Sequence, residues 1–130
     1  MRLWHVSLIK YLPRQQLLGQ HRECCALRGK GWGRPHATVN YVFKYSPSML
    51  YQFHLLVMKE MEQRGYHADK IWLDYRYRGK KLGYAGYNTV GKFLKKYPEH
   101  DTKYLTECIE NLREKGVVRE SENGPFYKIK

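Results

Sequence analysis

Glu23 is the only acidic residue among the first 59 positions of this 130-residue chain, and it directly follows Arg22. On a helix, steps of four before and three after Glu23 reach Gly19 and Ala26, two small residues that leave space for a ligand beside the carboxylate. One reading is a surface ion pair with Arg22 or Lys30, which contributes at most about 1 kcal/mol. The other is an acid retained in a basic surface because chemistry there requires it. The pattern alone leaves both readings open.

The charge balance points to a polyanionic partner. Lysine and arginine number 24 against 12 aspartates and glutamates, which gives a net charge of +12 and a pI near 9.7. Such an excess favours nucleic acid ahead of an acidic membrane surface. No run of 18 apolar residues occurs, so we expect no membrane span. Three cysteines without C-x-x-C spacing favour reduced thiols in a cytoplasm.

The chain is predicted to form a single compact domain over residues 1–130, of all-α class, with about three helices and long basic loops rich in tyrosine and glycine. The middle helix is the clearest, because Ser46 is a good N-cap, Pro47 suits the first helical position and Gly65 supplies the stop. The last helix begins near Asp101 and stops at Gly116. The segment "VNYVFKY" is interpreted as a loop or a lead-in to the middle helix.

Apolar residues at helical spacing predict the inward face of each helix. In the middle helix these are Leu50, Phe53, Val57, Met58 and Met61, and in the last helix Tyr104, Leu105, Cys108, Ile109 and Leu112. The first helix opens at Pro13 and ends at the glycine-rich "RGKGWGRPH". Its predicted inward stripe is Leu17, Leu18, His21, Cys24, Cys25 and Leu27.

Two further groups of residues could carry chemistry. His21, Cys24, Cys25 and His36 are metal-ligand types, but their spacing fits no zinc pattern, so no metal site is predicted. The stretch "DYRYRGKKLGYAGY", residues 74–87, interleaves tyrosine with arginine and lysine. That mixture suits phosphate contacts combined with base stacking, and an exposed basic loop is the equally open alternative.

The N-terminal stretch "MRLWHVSLIKYLPRQQLLGQHRECCALRG" resembles the start of the pyrimidine-dimer DNA glycosylases, the phage-type endonuclease V family. The family carries an Arg-Glu pair on its first helix, which here is Arg22-Glu23 after His21. The block "HATVNYVFKY" from His36 is similar to the family's lead-in to its second helix, and "QRGY" is similar to the end of that helix. Weaker similarity extends to "YPEHD" and to the C-terminal "GPFYKIK".

The resemblance implies a DNA repair glycosylase with abasic-site lyase activity on pyrimidine dimers or a related lesion. The family's nucleophile is an N-terminal α-amine, whose usual pKa of about 7.7 to 8.0 leaves a neutral fraction near pH 7. Here Met1 lies close to that position when the chain is aligned backwards from Arg22-Glu23. For Met1 to act, residues 1–12 must fold back along the first helix, anchored by Trp4, Leu8 and Ile9.

By the same resemblance, Glu23 assists Schiff-base chemistry with the Met1 α-amine, and Arg22 and Arg2 hold phosphates. The residues expected to contact DNA are Arg2, Gln16, Arg28, Lys30, Arg34, His36, Arg76, Arg78, Lys80, Lys81, Tyr127 and Lys128. The expected partner is double-stranded damaged DNA, bound by a monomer in the cytoplasm at the nucleoid, without metal or cofactor.

The sequence departs from the family pattern at three positions. Arg2 follows Met1 where studied members present a small residue, a family histidine is Gln16 here, and a family arginine is Ala26 here. These departures concern lesion specificity more than fold. They also leave an alternative open, a non-catalytic nucleic-acid-binding domain that keeps the scaffold.

Overall fold

Three α-helices dominate the fold, in a computed structural model that describes residues 2–29, 39–80, 82–84, 96–116, 118–121 and 124–128. They are α1 (Arg14–Arg28), α2 (Pro47–Gln63) and α3 (Thr102–Glu114). Three short 3₁₀-helices span Val6–Tyr11, Asn40–Lys44 and Lys70–Leu73. The predicted helical fold is confirmed, and no helix within these described ranges is long and apolar enough to cross a membrane.

The helix ends lie at the residues that the sequence indicated. Ser46 accepts a backbone N–H of the first turn of α2 at 3.3 Å, and Asp101 accepts the backbone N–H of Tyr104 at 2.8 Å. Gly65 and Gly116 have φ values of 85° and 70°, in the left-handed region that glycine enters at little cost. These caps and stops therefore fix the ends of α2 and the span of α3.

The core lies between α1 and α2. It is closed by α3 and by residues 2–12, called the N-terminal segment below. All five predicted core residues of α2 are buried, and those of α3 are buried or packed against the core. Trp4, Leu8 and Ile9 are also buried, so the N-terminal segment is anchored as predicted. It forms the 3₁₀-helix Val6–Tyr11, which the sequence did not indicate.

The buried face of α1 differs in part from the predicted stripe. Leu17, Cys24 and Leu27 are buried, whereas Leu18, His21 and Cys25 are only half-buried. The helix instead buries three polar side chains, those of Gln20, Glu23 and Arg28. The inward face is therefore rotated toward Glu23, and this rotation brings the carboxylate to the edge of the core.

A two-stranded antiparallel ribbon, which the sequence did not predict, lies near the C-terminus. Strand β1 (Val118–Ser121) pairs with β2 (Gly124–Lys128), with Val118 opposite Lys128 and Arg119 opposite Tyr127. Strand β1 lies against α3, and β2 lies against the 3₁₀-helix Val6–Tyr11. The ribbon thus joins the two ends of the described chain.

Candidate active site

Glu23 lies in the wall of a cleft of about 790 Å³ between α1 and α3, with the N-terminal segment also contributing to its lining. The residue is only 8 % exposed. An ion pair at that depth is not the surface pair considered from the sequence, because its carboxylate has lost most of its water. Glu23 is therefore a buried carboxylate in the wall of a cleft, not an exposed residue of the helix surface.

The cleft is strongly cationic. Its charged lining residues are Arg2, Arg14, Arg22, Glu23 and Lys115. Four cations line the same cleft as the single carboxylate, and they come from three parts of the chain: the N-terminal segment, α1 and the C-terminal end of α3. A concave surface of this charge attracts a polyanion. The predicted residues Arg2, Gln16, Arg22 and Glu23 therefore line one cleft, to which the structure adds Arg14 and Lys115.

The guanidinium of Arg22 lies over Gly19, one turn before it on α1. A Cβ added at Gly19 would be 3.6 Å from an Arg22 nitrogen. The Arg22 side chain therefore lies along the helix surface, beside the preceding turn of α1. This placement keeps the cation at the wall of the cleft that also contains Glu23.

Gln20 holds the backbone of the N-terminal segment against α1. Its Oε1 accepts the backbone N–H of Trp4 at 2.6 Å, and its Nε2 donates to the backbone carbonyl of Arg2 at 3.1 Å. The side chain is 2 % exposed and lies one turn before Glu23. The sequence analysis missed this role, because a glutamine on a polar helix face is normally a surface residue.

α3 and the residues before it hold the other side of the N-terminal segment. The Tyr104 hydroxyl donates to the backbone carbonyl of Leu3, and the backbone N–H of Val6 donates to His100 Nδ1 at 3.2 Å. The His5 and His100 rings stack with centroids 5.5 Å apart. The N-terminal segment is therefore fixed beside the cleft from two sides, by Gln20 of α1 and by Tyr104 and His100.

Two aromatic rings support the cations of the cleft. The Arg2 guanidinium lies 5.6 Å from the centroid of the Trp4 ring and 6.0 Å from that of Tyr104, and the Lys115 ammonium lies 5.7 Å from the Trp4 ring. Cations at this distance from a ring face are attracted by its quadrupole. The indole of Trp4 thus holds two cations, one from the N-terminal segment and one from the C-terminal end of α3.

Arg28 is an interior residue, which corrects its assignment as a phosphate contact. It is 7 % exposed, and its guanidinium donates to the backbone carbonyls of Trp72, Asp74 and Tyr77 at 2.7, 2.6 and 3.2 Å. One nitrogen also lies 3.0 Å from His54 Nδ1. The buried guanidinium therefore fastens the segment after α2 to the end of α1.

The predicted contacts in the tyrosine-rich segment lie at the surface. Arg76 lies 5.9 Å from the centroid of the Tyr84 ring and 3.6 Å from Asp74 Oδ1. Arg78 donates from Nε to the backbone carbonyl of Arg28 at 3.1 Å, and Lys80 is exposed. None of these residues lines the cleft around Glu23, so their contact with DNA stays a prediction.

Some predicted site residues cannot be placed. Met1, Lys30, Arg34, His36 and Lys81 lie outside the described residues, as does Trp32. Tyr127 and Lys128 belong to β2, of which only the backbone is described. Their assigned roles remain predictions.

His21, Cys25 and His54 form a cluster whose ligand-type atoms lie within 4.8 Å of one another. Arginine only donates hydrogen bonds, so the Arg28 contact makes His54 Nδ1 the acceptor and places the proton of the neutral ring on Nε2. That Nε2 donates to His21 Nδ1 at 2.8 Å, and Cys25 Sγ lies 3.8 Å from His21 Nε2.

This proton arrangement opposes a metal ion in the cluster. A metal ion could bind His54 Nε2 only through a lone pair, and in this tautomer that nitrogen carries the proton. The Arg28 cation beside the ring also disfavours a second positive charge at the cluster. Burial lowers the pKa of His54 well below its usual range, with Arg28 adding to the effect, and burial raises the pKa of the Cys25 thiol to about 11. The cluster is therefore a chain of neutral hydrogen-bonded groups.

Comparison with known proteins gives the family of this chain. A family model described as pyrimidine dimer DNA glycosylase matches residues 1–74, more than half of the chain. The chain therefore belongs to the pyrimidine dimer DNA glycosylase family, and the resemblance drawn from the Arg22-Glu23 and His36 blocks is confirmed. Searches of curated proteins and of solved structures found no match. The matched region contains α1 and α2, whereas α3 lies beyond it.

Proposed function

We propose that this protein is a DNA glycosylase with abasic-site lyase activity, in which the Met1 α-amine is the nucleophile and Glu23 is the assisting acid. Membership of the glycosylase family supports the glycosylase activity in this proposal. The observation that carries the roles of Met1 and Glu23 is the junction of Gln20 and Arg2, because it brings the N-terminal segment to α1 one turn from Glu23.

The position of Arg2 limits where the amine can lie. Adjacent Cα atoms are about 3.8 Å apart across a peptide bond, so Met1 cannot be far from the Arg2 carbonyl that Gln20 holds. Side chains three residues apart on a helix have Cβ atoms about 5 to 6 Å apart, which relates Gln20 to Glu23. These spacings support the proposal that the N-terminal amine acts in the same cleft as Glu23.

The reaction follows from these groups. The neutral amine attacks the sugar C1′ of the damaged nucleotide, the glycosidic bond breaks, and the base leaves with the electron pair and takes up a proton. The amine nitrogen then loses a proton, and the C1′–O4′ bond of the sugar ring breaks as O4′ takes up a proton, which leaves a protonated imine at C1′. Removal of the C2′ proton then expels the 3′ phosphate, and water hydrolyses the imine to restore the amine. The atoms of the protein are unchanged at the end of the cycle.

Three charged groups of the cleft, those of Glu23, Arg2 and Arg22, have a part in this scheme. The Glu23 carboxylate stabilises positive charge on the sugar and imine and transfers protons, and it does so effectively because it is buried. Arg2 and Arg22 bind the phosphates on either side of the lesion. The same cations disfavour the ammonium form of a nearby amine, which keeps part of it neutral near pH 7.

The test compares Glu23→Gln with Glu110→Gln, which removes an exposed carboxylate on α3. We expect Glu23→Gln to bind duplex DNA containing a pyrimidine dimer at least as tightly as the wild type, because one negative charge is lost from the cleft. It should lose base release and strand cleavage, whereas Glu110→Gln should keep both. Parallel loss of binding and of folding in Glu23→Gln would assign Glu23 a structural role and remove the proposal's support.

A further inference from the structure

The contacts of Gln20 with the N-terminal segment have the pattern of a strand pairing. In an extended chain the carbonyl of one residue and the N–H of the second residue after it point to the same side. The Gln20 amide bonds both groups, the Arg2 carbonyl and the Trp4 N–H, as the N–H and C=O of one residue in a neighbouring parallel strand would. One buried side chain thus replaces a β-partner for the first residues of the protein.

We propose that Gln20 is a positioning residue that fixes the N-terminal amine beside Glu23 for attack on the sugar, an inference that rests on the proposed function. Gln20 touches neither substrate nor reacting atoms in this scheme, and it acts through the backbone of residues 2–4. Glu23 follows Gln20 by three residues on α1. The positioning residue and the assisting acid therefore belong to one rigid helix.

The chemistry gives a reason for such a device. The first residues of a chain are poorly ordered unless they are tied down, and a nucleophile must lie about 3 to 3.5 Å from the atom that it attacks. A terminal amine has no side-chain packing of its own to provide this. Tyr104 supplies a second tie from α3, at the Leu3 carbonyl, between the two groups that Gln20 holds.

A purely structural role for Gln20 makes a different prediction. A buried amide that only satisfies its hydrogen bonds would affect stability and leave the reaction of the folded protein unchanged. A positioning role would also set the electrostatic surroundings of the amine, because Arg2, Arg22 and Glu23 act on it only at short range. The pH dependence of imine formation therefore distinguishes the two roles.

The decisive variant is Gln20→Met, which keeps the length and helix propensity of the side chain and removes both hydrogen bonds. The measurements are the single-turnover rate of borohydride trapping on DNA with an abasic site, the Kd for that DNA, and the thermal unfolding midpoint. The control is Gln63→Met, at the exposed end of α2.

We expect Gln20→Met to trap about 100-fold more slowly than the wild type at unchanged Kd, the loss that an ångström-scale misplacement of a reacting group produces. Its trapping should also follow the ordinary titration of a free α-amine, near pH 7.7 to 8.0. Gln63→Met should match the wild type in both. Wild-type trapping rate and an unshifted pH profile in folded Gln20→Met would overturn the positioning role.

Two further results separate this inference from the proposed function. If the wild type forms no adduct with abasic DNA, the proposed function fails and the inference fails with it. If the wild type does form one and Gln20→Met does not fold, Gln20→Glu replaces it. Glu at this position keeps the acceptor for Trp4 N–H and lacks the donor for the Arg2 carbonyl. Its added charge acts on the amine's protonation, so trapping is compared at a pH high enough that the amine is neutral in both proteins: slowed trapping there supports the inference, and the wild-type rate contradicts it.

Discussion

Arg28 and His54 meet inside the protein, with a guanidinium nitrogen 3.0 Å from the ring Nδ1. The contact joins the last residue of α1 to the middle of α2, and the same guanidinium holds three backbone carbonyls of the segment after α2. It also lies 5.0 Å from the ring centroid of Trp72 and 5.2 Å from that of Tyr51. One side chain thus connects three parts of the chain that are far apart in sequence.

We predict that Arg28→Met lowers the free energy of unfolding by about 3 kcal/mol or more, because it leaves several buried acceptors without a donor. The control is Arg76→Met, whose side chain is 44 % exposed and which should stay within about 0.5 kcal/mol of the wild type. Urea unfolding measures both. A small effect for Arg28→Met would mean that its hydrogen bonds contribute little to stability.

The protein should lose stability as the pH falls below about 6.5. Burial lowers the pKa of His5, His21, His54 and His100, in the case of His100 to about 3. Unfolded histidines titrate near 6.5, so below that pH the unfolded chain binds more protons than the folded chain. Each such proton lowers the free energy of unfolding by about 1.4 kcal/mol per pH unit, for His100 over the window from 6.5 down to about 3.

Urea unfolding at pH 7, 6 and 5 checks this dependence, with His100→Asn and His67→Gln as a matched pair. His100 is fully buried, whereas the His67 side chain is 77 % exposed. His100→Asn should reduce the slope of stability against pH, and His67→Gln should leave it unchanged. Equal slopes in the wild type and His100→Asn would show that His100 is not held neutral.

Lys115 should contact a DNA phosphate, because it lines the cleft at the end of α3. For duplex DNA the slope of log affinity against log salt changes by about 0.9 for each neutralised phosphate. We predict that Lys115→Ala flattens the slope by about that amount. Lys103→Ala, at the exposed start of the same helix, should not. The same change in both variants would exclude a specific role for the cleft in binding phosphate.

The Cys25 thiol should react slowly in the folded protein, because burial raises its pKa to about 11. Only the thiolate is the nucleophile, so at pH 8 we expect alkylation by iodoacetamide to be about 100-fold slower than in urea-unfolded protein. Peptide mapping after timed quenching measures the rate at each cysteine. Rapid labelling of Cys25 in folded protein would contradict the chain of neutral groups formed by His54, His21 and Cys25.

The sequence predicted the features that local rules determine. Caps and stops such as Ser46, Asp101 and Gly65 act on their own helix, so the ends of α2 and α3 could be predicted from a few neighbouring residues. The Arg22-Glu23 pair could be found because its charge pattern is unusual and because a family resemblance gave it a meaning.

The remaining features depend on partners distant in sequence. Arginine is usually a surface residue. Arg28 is buried because its guanidinium donates to backbone carbonyls 44 to 49 positions later in the sequence. Gln20 has its role because its amide binds backbone groups 16 to 18 positions earlier in the sequence. Helical periodicity does not predict such a contact. The ribbon of β1 and β2 has only two short strands and lies against other elements, so its sequence alone carries a weak signal.

The most direct test of the central claim is to identify the residue that forms the imine. The wild-type protein is incubated with DNA containing an abasic site, reduced with borohydride, digested and mapped by mass spectrometry. The account predicts a sugar adduct on the α-amine of Met1, lost when the N-terminus is acetylated and absent in Glu23→Gln. An adduct on a lysine such as Lys30, or trapping that persists after acetylation, would contradict it.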